Sequence, residues 1–186
     1  DAEYSAAIDE LMQRGLPMRG RIAIGFANER GLDGRFHKYG AFNIAGKIVP
    51  HDRLYGKNWA VKFFPSPGGF SGYDENYNES AEGIAKEMDY IRSNPHREAL
   101  MRAFSIAGID FGRADYGIVG NRVQIYEINT NPFLPYGKWV TNRIERQEVV
   151  LKGLLDGLKA VDVPIDSSGR VSFEEPRPRA HNLHWP

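Results

Sequence analysis

Residues 111–132 read FGRADYGIVGNRVQIYEINTNP, and the fold turns on how this stretch pairs with itself. Two segments of alternating apolar character flank Gly120-Asn121, which reads as the turn of a β-hairpin. Arg113 and Asp115 stand two apart on the first segment, Glu127 and Asn129 two apart on the second. Strand side chains repeat every second residue, so each pair shares a face of its strand. Directly opposed residues of an antiparallel pair point to the same side of the sheet. With Gly120-Asn121 alone as the loop, Asp115 meets Tyr126 and the two acids fall on opposite sides. A three-residue loop that includes Arg122, or a bulge of the same effect, pairs Asp115 with Glu127 and Arg113 with Asn129. The longer loop, with Asn121 tolerating left-handed backbone, or such a bulge is therefore expected.

Two carboxylates and an amide oxygen on one patch form a hard-oxygen site of the kind Mg²⁺ takes. That ion binds one or two carboxylates and fills its shell with water and phosphate oxygens. The guanidinium beside them can grip a phosphate or carboxylate through its planar fork. The bland alternative is that four polar residues on an exposed strand face are only solvated.

The same residues carry a family resemblance. The stretch resembles the metal-binding end of ATP-grasp ligases, where a strand bearing Arg-x-Asp precedes one bearing Glu-x-Asn ahead of a proline. Here these are Arg113, Asp115, Glu127 and Asn129, with Asn131-Pro132 following and the Asp twelve residues before the Glu. The resemblance implies that Asp115 and Glu127 bind Mg²⁺ (or Mn²⁺), Glu127 bridging two ions and Asn129 serving the second. Arg113 would stabilise the transferring phosphate of ATP. It further implies a carboxylate–amine ligase acting through an acyl phosphate, with the carboxylate and the amine unidentified. Lys38 and Arg53, opposed in a hairpin with an Ala45-Gly46 turn, would cradle the phosphates; two cations guarding a sheet edge is the competing reading. The nucleobase would lie near Phe26 and Ala27, with Glu29 standing in for the acid that such hinges often carry. The likeness runs over roughly residues 20–160. A complete member also has an N-terminal lobe, to be supplied by upstream sequence or a partner chain.

At 186 residues one domain is expected, with 1–163 as an α+β unit and 164–186 as an irregular tail. The 24 basic and 24 acidic residues cancel, which argues against a general nucleic-acid or membrane-surface binder. The absence of cysteine rules out disulfides, thiolate metal sites and a Cys nucleophile. No apolar run is long enough to span a membrane, and a cytoplasmic location is expected. The chain begins at Asp1 rather than a methionine, as a processed product or an excised piece would.

Along the chain, helices are expected at 3–14, 80–93, 95–107 and 143–161, from apolar stripes at helical spacing. Strands are expected at 21–26, 38–44, 47–53 and 58–64, besides the central hairpin, with Pro50 beside a bulge or on an edge strand. Residues 65–78 read as a long loop, a lid or a plain surface segment. His51 reads as a surface histidine and Asp110 as structural. Grouped strands and helices with antiparallel hairpin signals argue for an α+β fold, an antiparallel sheet with helices on one face, similar to the C-terminal lobe of an ATP-grasp fold. Two other classes compete with the ligase: a non-catalytic nucleotide- or metal-binding module (a pseudoenzyme needing a partner lobe), and a plain interaction domain.

Overall fold

The computed structural model describes residues 2–19, 27, 29–62, 72–134 and 143–162. In chain order the elements are α1 (Ala2–Gln13), β1 (Phe36–Ile44), β2 (Lys47–Gly56), α2 (Glu75–Asn78), α3 (Ala81–Ser93), α4 (Arg97–Ala107), β3 (Phe111–Val119), β4 (Arg122–Asn129) and α5 (Ile144–Val161). The four strands form one antiparallel sheet in the order β2-β1-β3-β4. The architecture is α+β.

Turn and cap chemistry sets the element ends. Ala45 and Gly46 both take positive φ, which matches a two-residue turn to the twist of the strands it joins. Ser80 caps α3 by accepting the Gly83 N–H, and Asn94 ends it in the left-handed region. Gly108 closes α4 in the same region. Pro95 precedes α4 instead of opening it, because His96 takes the capping position.

Helices cover both faces of the sheet, not one. Residues of even number on β1 and their register partners make the first face, on which α5 lies. A Cβ on Gly153 would stand 2.8 Å from Val49, and one on Gly157 3.0 Å from Ile44, so two bare positions four apart let this helix settle close to the strands. The opposite face carries Tyr39, Ala41, Ala114 and Tyr116, all buried. Here Tyr90 of α3 and His96 meet Tyr39 and Tyr116 by ring contacts and hydrogen bonds. Phe42, Leu100, Phe104 and Val150 anchor the interior. Each such apolar side chain contributes roughly 1.5–3 kcal/mol when taken from water.

One polar network crosses the second face. The Tyr90 hydroxyl donates to the Gly40 carbonyl at 2.9 Å and lies 2.9 Å from the Tyr116 hydroxyl, which lies 3.0 Å from His96 Nδ1. Tyr90 has spent its one proton on a carbonyl that only accepts, so Tyr116 must donate to Tyr90. His96 must then donate from Nδ1, which sets its tautomer.

Several expectations change. The α1 stripe of Tyr4, Ala7, Ile8, Leu11 and Met12 buries none of its residues. On α5, Val150 and Leu154 face inward while Leu155 and Leu158 stay exposed, because the Gly153–Gly157 ridge sets the contact. Residues 58–62 are irregular, not a strand. Of the expected loop at 65–78, Glu75–Asn78 is a helical turn capped by Asp74, with Asn78 bonded to both backbone groups of Tyr55. The expected strand at 21–26, residues 63–71 and the tail at 164–186 lie outside the described residues. Among the described residues no helix is long and apolar enough to cross a membrane.

Candidate metal and phosphate site

The hairpin pairs Arg113 with Asn129 and Asp115 with Glu127. It does so through a bulge, not a longer loop. Gly120-Asn121 alone forms the turn, with Val119 opposite Arg122, and Gly120 rather than Asn121 takes the positive φ of 57°. The register then shifts between Asp115 and Tyr116, leaving Tyr126 as the extra residue. A Cβ on Gly117 would collide with the Tyr126 hydroxyl, so the bare backbone there makes room for the ring beside the acids.

The pairing continues across the sheet. Asp52 on β2 opposes Gly40 on β1, Gly40 opposes Asp115 on β3, and Asp115 opposes Glu127 on β4. Three carboxylates thus share one transverse row on the face that carries α5, with a glycine in the gap. A Cβ on Gly40 would stand 2.7 Å from Asp52 Oδ1, so the Asp52 side chain leans into that gap.

Cations are built into this row. Lys38 Nζ donates to Asp115 Oδ2 at 3.0 Å, and Arg113 Nε donates to Asp115 Oδ1 at 3.2 Å. All three side chains are largely sheltered: 23% exposed for Lys38, 14% for Asp115 and 20% for Arg113. Among the described residues the Arg113 Nη groups and the Glu127 carboxylate have no partner, so both are free to meet a ligand. Asn129 Oδ1 accepts the Asn131 N–H at 2.8 Å, a local turn that orients the amide ahead of Pro132. His51 Nδ1 lies 2.6 Å from Asp52 Oδ2. Burial opposes ionisation of Asp52, but His51, Lys38 and Arg146 override it and hold this carboxyl well below its ordinary range.

Arg53 does not join Lys38. The extra residue His51, between Pro50 and Asp52, shifts β2 so that Arg53 opposes Tyr39 and Lys38 opposes Leu54. Pro50 cannot donate to a ladder, and the bulge falls beside it on the sheet's edge strand. The Arg53 guanidinium therefore lies on the other face, over the rings of Tyr39 and Tyr55 at 5.4 and 5.1 Å. It has been drawn into the aromatic core, away from the acids. Ala27 is exposed, and Phe26 lies outside the described residues. Glu29 accepts the Gly120 N–H at 2.8 Å, which ties it to the hairpin turn. The Asp110 side chain plays no part, while its carbonyl accepts from Ala45.

No protein-family model, curated protein or solved structure matches this chain. The site is accordingly read from its own chemistry. Among the described residues no group of three His, Asp or Glu side chains converges as a ready ligand set. The donor set is instead a pair of carboxylates with an amide, which suits Mg²⁺, an ion that draws the rest of its shell from water and phosphate. Asp52 and Tyr126 escaped the sequence reading because each reaches this neighbourhood through a bulge. Pro50 was the available signal for the first, and the spacing of Asp115 and Glu127, which called for a longer loop or a bulge, was the signal for the second.

Proposed function

We propose that this chain is the Mg²⁺- and ATP-binding lobe of a carboxylate–amine ligase of the ATP-grasp kind, acting through an acyl phosphate. The observation that carries the reading is the bulged register, which sets Asp115 beside Glu127 and Arg113 beside Asn129 on one sheet face. Asp115, Glu127 and Asn129 would hold Mg²⁺ (or Mn²⁺), whose charge would offset that of the β- and γ-phosphates during acyl phosphate formation. Lys38 and Arg113 neutralise Asp115. With Asp115 serving the ion, both cations would be available to the phosphate oxygens, one set of ion pairs replacing another. Such an exchange keeps partly buried charges compensated at each stage. The lobe contributing the remaining ATP contacts, and the carboxylate and amine substrates, come from elsewhere in the protein or from a partner. An ATP-dependent ligase of this type works in the cytoplasm.

The test is a Mn²⁺ titration followed by amide NMR, with and without ADP. Selective broadening around Arg113–Asp115 and Glu127–Asn129, sharpened by ADP, is the expected result. Broadening scattered over surface acids and indifferent to ADP would overturn the reading.

A further inference from the structure

On the sheet face opposite the acids, an open groove of about 980 Å³ runs between α4 and the β3–β4 hairpin. Its floor is apolar, made by Ala99, Ala103, Ile118, Val123 and Ile125. At its border Ile106 is 81% exposed, a costly display for an isoleucine with nothing to cover it. Three arginines line the same groove: Arg97, Arg102 and Arg122. Among the described residues none of these three guanidiniums has a hydrogen-bond or ion-pair partner. Every other described arginine has a partner. The unpartnered arginines of the described chain are thus gathered in one place, against a single lining acid, Glu98.

Guanidinium is weakly hydrated and its fork fits carboxylates, so three of them over an aliphatic floor make an amphipathic anion receptor. Their placement favours a chain over a point ligand. Arg97 and Arg102 stand on α4 and Arg122 opens β4, so the cations border the groove from two elements. An extended peptide carries carboxylates at intervals and can meet cations on both walls, with the aliphatic side chains between them on the floor. A nucleic-acid backbone would use the cations but leave the aliphatic floor unmatched.

We propose that this groove docks an acidic segment of a partner protein in extended form, with carboxylates on Arg97, Arg102 and Arg122 and alternating aliphatic side chains on the floor. The site is independent of the metal and phosphate site on the other face. The probe is a fluorescein-labelled synthetic peptide of alternating Glu and Val, read by fluorescence anisotropy on the 186-residue chain, with a Lys-for-Glu peptide as control. Saturable binding of the Glu peptide alone, weakening as salt is raised, is expected. Each single Arg→Ala change should weaken binding roughly 2–5-fold, and the triple change roughly 10–100-fold, with far-UV circular dichroism unchanged. Undiminished binding by the triple variant would overturn the proposal. So would equal displacement of the peptide by pyrophosphate, which would mark a small-anion site, or by a single-stranded oligonucleotide of equal charge.

Discussion

Replacing Lys38 with methionine separates two roles that one side chain holds in this reading. Lys38 Nζ sits 3.0 Å from Asp115 Oδ2, so a metal ion that uses Asp115 must first displace it. Methionine keeps the apolar stem and removes the charge. The pair is partly open to water, 23% and 14% exposed, so its strength is taken at the upper end of the surface range, about 1 kcal/mol. At 1.4 kcal/mol per tenfold, Mn²⁺ should bind Lys38→Met roughly fivefold more tightly than the parent when no nucleotide is present. With Mn²⁺ saturating, the sign reverses for ADP. Loss of one charge-assisted hydrogen bond to phosphate, about 1.5–3 kcal/mol, predicts ADP affinity lower by roughly 10–100-fold. Arg113 still holds Asp115 through Oδ1, so the fold should persist and the melting temperature should move by no more than about 4 °C. Isothermal titration calorimetry measures both affinities on one preparation. Weaker Mn²⁺ binding in the variant would mean that Lys38 does not compete with metal for Asp115. Unchanged ADP affinity would remove Lys38 from the phosphate site.

Glu127→Ala removes an exposed, uncommitted carboxylate, so metal-dependent ADP binding should vanish while circular dichroism stays the same; retained Mg²⁺ dependence would sink the site. Arg113→Ala should lower turnover in the complete enzyme more than ADP affinity, and equal losses in single-turnover and binding assays would reassign it to ground-state binding. Glu87 is 2% exposed and accepts from Arg143 at 2.5 Å and Arg146 at 3.1 Å, so Glu87→Ala takes the acid from Arg146, leaves Arg143 with Glu79 alone, and should cost about 3–5 kcal/mol in urea unfolding. A cost under about 1 kcal/mol would mean that the pair relaxes into water. Acid should weaken the fold in two stages. Burial, with Arg53 nearby, lowers His37 and His96 below the ordinary 6.5, with Asp33 partly opposing at His37. The unfolded chain then binds more protons, so stability falls as pH drops through 6.5 and levels off below the folded values. Asp52 adds stability above its ordinary 3.8 that is lost at more acid pH still, because its folded value is depressed. Urea midpoints at pH 8, 6.5 and 5 test the first stage, and the double variant His37→Gln/His96→Gln should flatten it; an unaltered slope would refute the assignment.

The parts of the fold most legible in the sequence were those ruled by local chemistry. Ser80, Asn94 and Gly108 mark helix ends through the backbone conformations and hydrogen bonds that such residues favour, and α3, α4 and α5 were placed within two residues by them and by apolar spacing. Ala45-Gly46 likewise marked the first hairpin. Illegible was what depends on distant partners. The α1 stripe has the same periodicity as α5, yet buries nothing, because amphipathic spacing says that a helix has an apolar side and not that a surface awaits it. Leu155 and Leu158 belong to the apolar stripe of α5 yet stay exposed for a related reason: the contact ridge of the helix runs through two glycines, residues that carry no hydrophobic signal. Arg143 and Arg146, which clamp Glu87 between α3 and α5, are charged residues that spacing alone would leave in solvent.

The site itself turns on parity, and parity is what a bulge changes. Without the extra Tyr126, Glu127 would fall on the face of Tyr116 and the aromatic core, where an unpaired carboxylate is costly. Without the extra His51, Asp52 would oppose Tyr39 and face that core, and Arg53 would oppose Lys38 on the metal face. One insertion in each outer strand therefore reverses the alternation at its own end of the sheet, and both act in the same sense: acids go to the face of α5, and Arg53 goes to the tyrosines. The inner strands β1 and β3 pair without interruption from Tyr39 to Ile44, so they supply the fixed reference against which the edges are rephased. A strand pattern of alternating residues could not encode an acidic row and an aromatic core on opposite faces with these sequences. The two bulges resolve the conflict, which is why a hairpin whose simplest register separates Asp115 from Glu127 brings them side by side.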